Sequence, residues 1–243
     1  MIRKNGRTAR RLRKLLWRIR KPEFADNFGV LLPVRHPLIS PGIAREIGFG
    51  EYERKEAEIV SQRLAEDDIV MEVGAGIGFL SAYCARRIGS DRVFAYEANP
   101  ALMEIIATTH AANGVRPQVR NAMLGRGNGR QRFFVDREFW ASSAHRAEGD
   151  GAQAIEVARI DLNEEIARVR PTFMIVDIEG GEAELFALAD LAGVRKICVE
   201  THAQVLGNDG VTAMLARLFS QGFCLDTGMT RKYVFYLYRP QPA

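Results

Sequence analysis

Residues 69–78 read Ile-Val-Met-Glu-Val-Gly-Ala-Gly-Ile-Gly, and this stretch carries the strongest chemical signal in the chain. The β-branched run Ile69 to Val73 predicts a buried strand that breaks at Gly74. Apolar residues at helical spacing follow it (Phe79, Leu80, Tyr83, Cys84, Ile88). A strand, a turn bare of side chains and a helix N-terminus together bring backbone N–H groups against a ligand. Gly74, Gly76 and Gly78 are spaced G-x-G-x-G, not the G-x-G-x-x-G of dinucleotide sites. The shorter spacing suits S-adenosylmethionine, which has no pyrophosphate to seat on the helix. Glu97 lies 19 positions after Gly78, at the end of a second expected strand (92–96). A carboxylate there is placed to accept hydrogen bonds from both hydroxyls of a ribose.

A second group of acids follows later. Asp177 and Glu179 end an expected buried strand (173–178) and fall on one face if that strand continues through them. Glu182 follows in the first turn of a helix opened by Gly180-Gly181, where the helix dipole favours an acid. Glu200-Thr201-His202 end the neighbouring strand, and a histidine there titrates in a range suited to a general base at neutral pH. Asp177, Glu179 and His202 are therefore the candidate catalytic residues. Neighbouring carboxylates raise one another's pKa and a sulfonium lowers both, so such a pair can take or direct the proton of an acceptor hydroxyl. Together with Glu200 these residues also suit a divalent cation, but no ligand spacing requires one, and no metal site is assigned.

The elements that hold these residues alternate. Strand and helix patterns follow one another at 69–73, 78–87, 92–96, 100–112 and 118–124, then at 161–169, 173–178 and 180–188, with a fifth strand at 195–199 and a helix at 211–219. Such alternation implies parallel strands joined by right-handed crossovers. Phe223–Asp226 and Tyr233–Tyr238, separated by a Gly-containing turn, predict a closing antiparallel hairpin. The fold class expected is α/β: a Rossmann-like, mostly parallel seven-stranded sheet with helices on both faces and a C-terminal antiparallel hairpin. Residues 51–243 form the expected domain, and residues 22–50, rich in Pro and Gly, read as an irregular connector covering the site. Phe139, Trp140, Ser142, Ser143 and His145 form an expected loop that is a candidate acceptor pocket.

Charge is unevenly spread. Residues 1–21 hold ten Lys and Arg and no acid. Of 34 basic residues 24 remain for the rest of the chain, against 30 acids, so the body is net −6 beneath an overall +4. Leu12, Leu15, Leu16 and Ile19 fall on one helical face of this segment. A basic amphipathic helix suits an anionic membrane surface, or packs on its own domain, and nucleic acid is the less favoured partner because the acidic body offers no second basic stripe. No run approaches 18 apolar residues and no secretory signal is seen, so the expected location is cytoplasmic, peripheral to the inner membrane face. Cys84, Cys198 and Cys224 are odd in number and far apart in apolar contexts, as core thiols in a reducing compartment would be.

Taken together the motifs resemble the FkbM family of S-adenosylmethionine-dependent methyltransferases. The marks are Gly50-Glu-Tyr-Glu53, Glu72-Val-Gly-Ala-Gly-Ile-Gly78, Ala95-Tyr-Glu-Ala-Asn-Pro100, Asn121-Ala-Met-Leu124, Val176-Asp-Ile-Glu-Gly-Gly-Glu182 and Val199-Glu-Thr-His202. The resemblance implies a class I methyltransferase fold and transfer of a methyl to a hydroxyl of a glycan, glycolipid or small metabolite. It implies cofactor contacts from Glu72, Gly74, Ala75, Gly76 and Gly78, ribose binding by Glu97 beside Ala98, adenine contacts at Asn121 and Ala122, and Asp177 facing the methyl. Residue 72 is Glu where Asp is common, and Gly181 replaces a usual Ala. The alternatives are an RNA methyltransferase that uses the basic segment and a non-catalytic binding protein on the same fold. Acceptor identity and oligomeric state are not legible.

Overall fold

The computed structural model describes residues 22–135 and 153–240. The basic segment 1–21 and the loop holding Phe139 to His145 lie outside these residues. The chain opens on a two-stranded antiparallel ribbon, β1 (Phe24–Asn27) and β2 (Val30–Pro33), followed by α1 (Pro41–Phe49) and α2 (Arg54–Arg63). Then come β3 (Val70–Val73), α3 (Phe79–Ile88), β4 (Val93–Glu97), α4 (Met103–Ala112), β5 (Gln118–Asn121), β6 (Met123–Gly125) and β7 (Gly129–Val135). Beyond the undescribed stretch lie β8 (Gln153–Asp161), α5 (Leu162–Val169), β9 (Phe173–Val176), α6 (Glu182–Leu188), β10 (Lys196–Glu200), α7 (Ala203–Ser220), β11 (Cys224–Leu225) and β12 (Val234–Tyr238).

The central sheet has seven strands in the order β11-β12-β10-β9-β3-β4-β5. The pairings β10–β9, β9–β3, β3–β4 and β4–β5 are parallel, and β12 runs antiparallel between β10 and β11. This is the expected α/β sheet with its closing hairpin. Successive strand residues point to opposite faces, as the pleat requires. Val70, Phe173 and Ile175 join one apolar cluster with α1 to α4, while Met71, Met174 and Val176 join the other with α5 to α7. Both faces of the sheet are thus buried, and its strands read as continuous apolar runs. The chain moves outward from β3 through β4 to β5, then returns to place β9 on the other side of β3. That reversal between β3 and β9 is where an open sheet leaves a crevice.

Register decides what meets there. Val73 is aligned with Tyr96 on β4 and with Val176 on β9, and Val176 with Val199 on β10. The residues that follow, Gly74, Glu97, Asp177 and Glu200, therefore emerge together at one sheet edge.

The structure corrects several expectations. Residues 22–50 are not irregular. Phe28 and Gly29 both take positive φ (53° and 81°), the two-residue turn that matches strand twist, and Val30 and Leu32 are buried while Leu31 is not. Ser40 then caps α1, its Oγ accepting the Ile43 N–H at 3.3 Å. The strand expected at 118–124 breaks at Ala122. Its second part, β6, leaves the central sheet for a separate three-stranded one ordered β6-β8-β7. β9 stops at Val176, so Asp177 and Glu179 lie in a turn and owe nothing to strand alternation. Among the described residues no helix is long and apolar enough to cross a membrane.

Candidate functional site

Gly74 opens the turn at φ 89°, and a Cβ on it would stand 1.7 Å from the Asp177 carbonyl oxygen, so only glycine lets β3 and β9 end side by side. The N–H groups of Gly74 and Ala75 both donate to the Tyr96 carbonyl (2.9 and 3.1 Å), tying the turn to β4. Behind it, Ser81 Oγ and His110 Nε2 lie 3.0 Å apart. Burial holds His110 down at about 4, so the ring is neutral, and a Cβ at Gly78 would press on its Nε2 at 3.0 Å. Burial pushes the Glu72 carboxyl up to about 8 against a hydrogen bond from Ser81, and its Oε2 has no partner. Glu72, Ala75 and Gly78 thus back the turn without lining the cavity in front of it.

Glu97 is 7% exposed and faces that cavity. Its Oε1 accepts the Asn99 N–H (2.8 Å) and its Oε2 the Gly76 N–H (2.9 Å). Burial pushes its carboxyl up to about 7, and these backbone donors oppose the rise. Ala98 and Ala122 line the same wall. Asn121 does not; its Nδ2 donates to the carbonyls of Glu97 (2.8 Å) and Ala98 (3.1 Å), fastening β5 to the end of β4.

The second acid group closes around His202, which is 6% exposed and stands outside the cavity lining. Its Nδ1 lies 2.8 Å from Glu182 Oε1, and its Nε2 is 3.1 Å from Glu179 Oε2 and 3.7 Å from Asp177 Oδ1. Burial lowers the pKa of this ring, but the Glu182 hydrogen bond and the charges of Asp177 and Glu179 outweigh it and push the pKa up to about 9. The ring is an imidazolium at neutral pH, not the neutral-pH titrating base its residue type suggests. Glu182, wholly buried, also accepts the Gly180 N–H (3.0 Å), which fixes the turn before α6. Asp177 is driven well above the usual carboxylate range, first by removal from water, then by Glu200 and Glu179, with His202 opposing. Asp177 Oδ1 has no hydrogen-bond partner. The ligand atoms of Asp177, Glu182 and His202 lie within 4.8 Å of one another, as metal ligands would, but the imidazolium already supplies the cation among them.

A third wall was not foreseen. Tyr52 to Glu56, at the start of α2, face the glycine turn across the cavity, and a Cβ at Gly76 would lie 3.4 Å from Tyr52 Oη and 3.6 Å from Glu53 Oε1. Glu53 holds φ 43°, a left-handed conformation that costs a glutamate on the order of 1–3 kcal/mol. Burial drives its carboxyl well above the usual range against a hydrogen bond from Tyr52. The Gly50-Glu-Tyr-Glu53 run marked these residues in sequence without giving them a role. β6 to β8 supply a fourth wall through Gly125, Arg126, Gln131, Phe133 and Arg159. The cavity enclosed has a volume of about 920 Å³, near the top of the ~300–1,000 Å³ range of small-molecule sites, so it has room for a cofactor and a second molecule.

Solved structures of similar shape include the ribosomal protein L11 methylase of Lactobacillus delbrueckii subsp. bulgaricus (12% identity over 79% of this chain and 80% of that one, TM-score 0.47). Another is the precorrin-6y C5,15-methyltransferase of Geobacter metallireducens GS-15 (15% identity, 76% and 87%, TM-score 0.44). A third is the magnesium protoporphyrin IX methyltransferase of Synechocystis PCC 6803 with bound SAM (14% identity, 85% and 88%, TM-score 0.44). No curated protein matches the chain. The methyltransferase FkbM domain matches residues 72–225, from the last turns of β3 through α6 and β10 to β11, which is well over half of the chain. With the glycine turn, Glu97 and the Asp-Ile-Glu turn all inside that span, the chain belongs to the FkbM family of S-adenosylmethionine-dependent methyltransferases.

Proposed function

We propose that this protein methylates an oxygen, a hydroxyl of a glycan, glycolipid or small metabolite, and that Asp177 receives or directs the proton that hydroxyl loses. The observation that carries the reading is the position of Asp177: beside the glycine turn, on the cavity wall, with one oxygen that accepts no hydrogen bond. The residues present fit the cofactor. Gly74 leaves bare backbone where any side chain would collide, and Glu97, though engaged by two N–H groups, keeps lone pairs for two ribose hydroxyls. Bound S-adenosylmethionine supplies a methyl on a positively charged sulfur, an electrophile that needs no further activation.

The chain's own residues then have three tasks. Glu97, with Gly74, Gly76, Ala98 and Ala122, fixes the nucleoside, which sets the line of approach to the methyl. Burial and the neighbouring acids hold the Asp177 carboxyl above the usual range despite His202, and a positive charge seated beside it lowers its pKa and so favours the form that accepts a hydroxyl proton. His202 is assigned a positioning role: its imidazolium holds Asp177 and Glu179 in their turn without meeting the acceptor. The preponderance of carboxylates on the cavity wall also supports a compact acceptor over a polyanion such as RNA.

The test is mass spectrometry of a cell extract incubated with the protein and a methyl-labelled donor, with the Asp177→Asn variant in parallel. A hydroxyl that gains the labelled methyl, at a turnover ~10²–10⁴-fold lower in the variant, is the expected result. A label found on nitrogen or carbon, or full turnover in Asp177→Asn, overturns the assignment.

A further inference from the structure

The charge of the cavity is larger than the cofactor can answer. Nine carboxylates line it against four cationic side chains. Two of the four are already spoken for: Arg54 by Glu58 (2.8 Å) and Glu51 (3.4 Å), and Arg159 by the Gly127 carbonyl (3.1 Å) and Gln131 (3.3 Å). S-adenosylmethionine brings a sulfonium and an ammonium against one carboxylate, a net single positive charge. On the assignments above, Asp177 stands by the sulfonium, Glu53 by the glycine turn and Glu97 by the ribose. Of the other six, Glu51 pairs with Arg54 and Glu179 with His202, while Glu56 and Glu200 stand together at the end of the cavity between α2 and β10.

Glu56 is the informative residue. It sits in the first turn of α2, where the helix dipole welcomes an acid, and this accounts for its charge but not for its seclusion. It is 3% exposed, it lines the cavity, and its Oε1 has no hydrogen-bond partner. Leaving a buried carboxylate oxygen without a donor is unfavourable, which is tolerable where a ligand supplies the donor. Burial and the Glu200 charge push Glu56 up to about 7, and the two side chains lie within hydrogen-bonding reach of each other. Among the described residues the cation beside Glu200 is Lys55, with Nζ 3.6 Å from its Oε1 and more than a third of that side chain exposed.

We propose that this end of the cavity takes a protonated amine carried by the acceptor, received by Glu56 and Glu200, so that the substrate is a hydroxylated cation. A divalent cation is the less suitable occupant: the converging ligand atoms in the described residues belong to Asp177, Glu182 and His202, and neither Glu56 nor Glu200 is among them. An ammonium, with three donors reaching ~2.7–2.9 Å each, can be shared by two neighbouring carboxylates. The inference rests on the methyltransferase reading and narrows its acceptor.

The experiment is calorimetry on the full chain, first with S-adenosylhomocysteine and then, in the saturated complex, with glucosamine and kanamycin A, each against its N-acetylated form. Tighter binding of at least one free amine than of its acetylated partner, weakened tenfold or more in both Glu56→Gln and Glu200→Gln, is expected. Both variants should keep their S-adenosylhomocysteine affinity within about twofold, which separates a lost subsite from a lost fold. Equal binding of free and acetylated forms, no binding of either amine, amine affinity unchanged in the two variants, or Mg²⁺ or Mn²⁺ alone titrating with the same Glu56 dependence would each overturn the proposal. A chain that fails to bind S-adenosylhomocysteine at all would instead overturn the reading beneath it.

Discussion

Both oxygens of Glu97 already accept a backbone N–H, so this residue shapes the turn as well as serving in the ribose role proposed for it. Glu97→Ala is expected to weaken S-adenosylhomocysteine binding ~10–100-fold, the value of one or two hydrogen bonds to a charged group, and calorimetry showing unchanged affinity would sink the ribose role. His202 gives a pH signature. Its folded pKa, about 9, lies above the unfolded value near 6.5, so its stabilisation is complete below pH ~6.5 and is lost as pH rises through 9. Urea midpoints of the wild type should fall across that window by on the order of 3 kcal/mol, and those of His202→Gln should be nearly flat; parallel curves would show that the clamp adds nothing. The acids and glycines at strand ends were readable because each follows a buried run and needs only the next residue to declare itself. Glu53 was marked only as the end of the Gly50-Glu-Tyr-Glu53 run, without a role, and Glu56 was not marked at all. Their part depends on where α2 meets the sheet edge, which is tertiary information.

Among the elements, the central strands were legible for a physical reason: with both faces buried they are uninterrupted apolar runs, as in Phe173–Val176. β8, Gln-Ala-Ile-Glu-Val-Ala-Arg-Ile-Asp, was missed because only Val157 in it is buried and it carries charges, and its place is fixed by pairing with β7. The ribbon β1–β2 was missed because Pro and Gly, which recur through residues 22–50, are turn formers in one context and strand boundaries in another. The β3 turn makes the sharpest element-scale prediction. Gly74→Ala forces a positive φ on alanine and drives a Cβ into the Asp177 carbonyl, so the ends of β3 and β9 must part. A loss of at least ~2 kcal/mol in the urea midpoint, together with loss of cofactor binding, is expected. A variant of wild-type stability would mean that the two strand ends do not meet as described.

For the molecule as a whole, the candidate cofactor site lies at the ends of β3, β4 and β9, strands that separate the two apolar clusters. Ligand binding should therefore be felt throughout. At 100 times its dissociation constant S-adenosylhomocysteine adds ~2.7 kcal/mol, which for a chain of this size raises Tm by about 5–11 °C. NAD at equal concentration should leave Tm unmoved, and equal shifts from both would contradict the glycine-spacing argument. The wall running from Ser40 to Glu56 has a different import, because it precedes Glu72, where the family-defining span begins. One chamber is thus assembled from two stretches of chain, only the second of which lies within the matched span. A chimera exchanging residues 40–56 with those of another family member should inherit acceptor selectivity from one parent and donor affinity from the other.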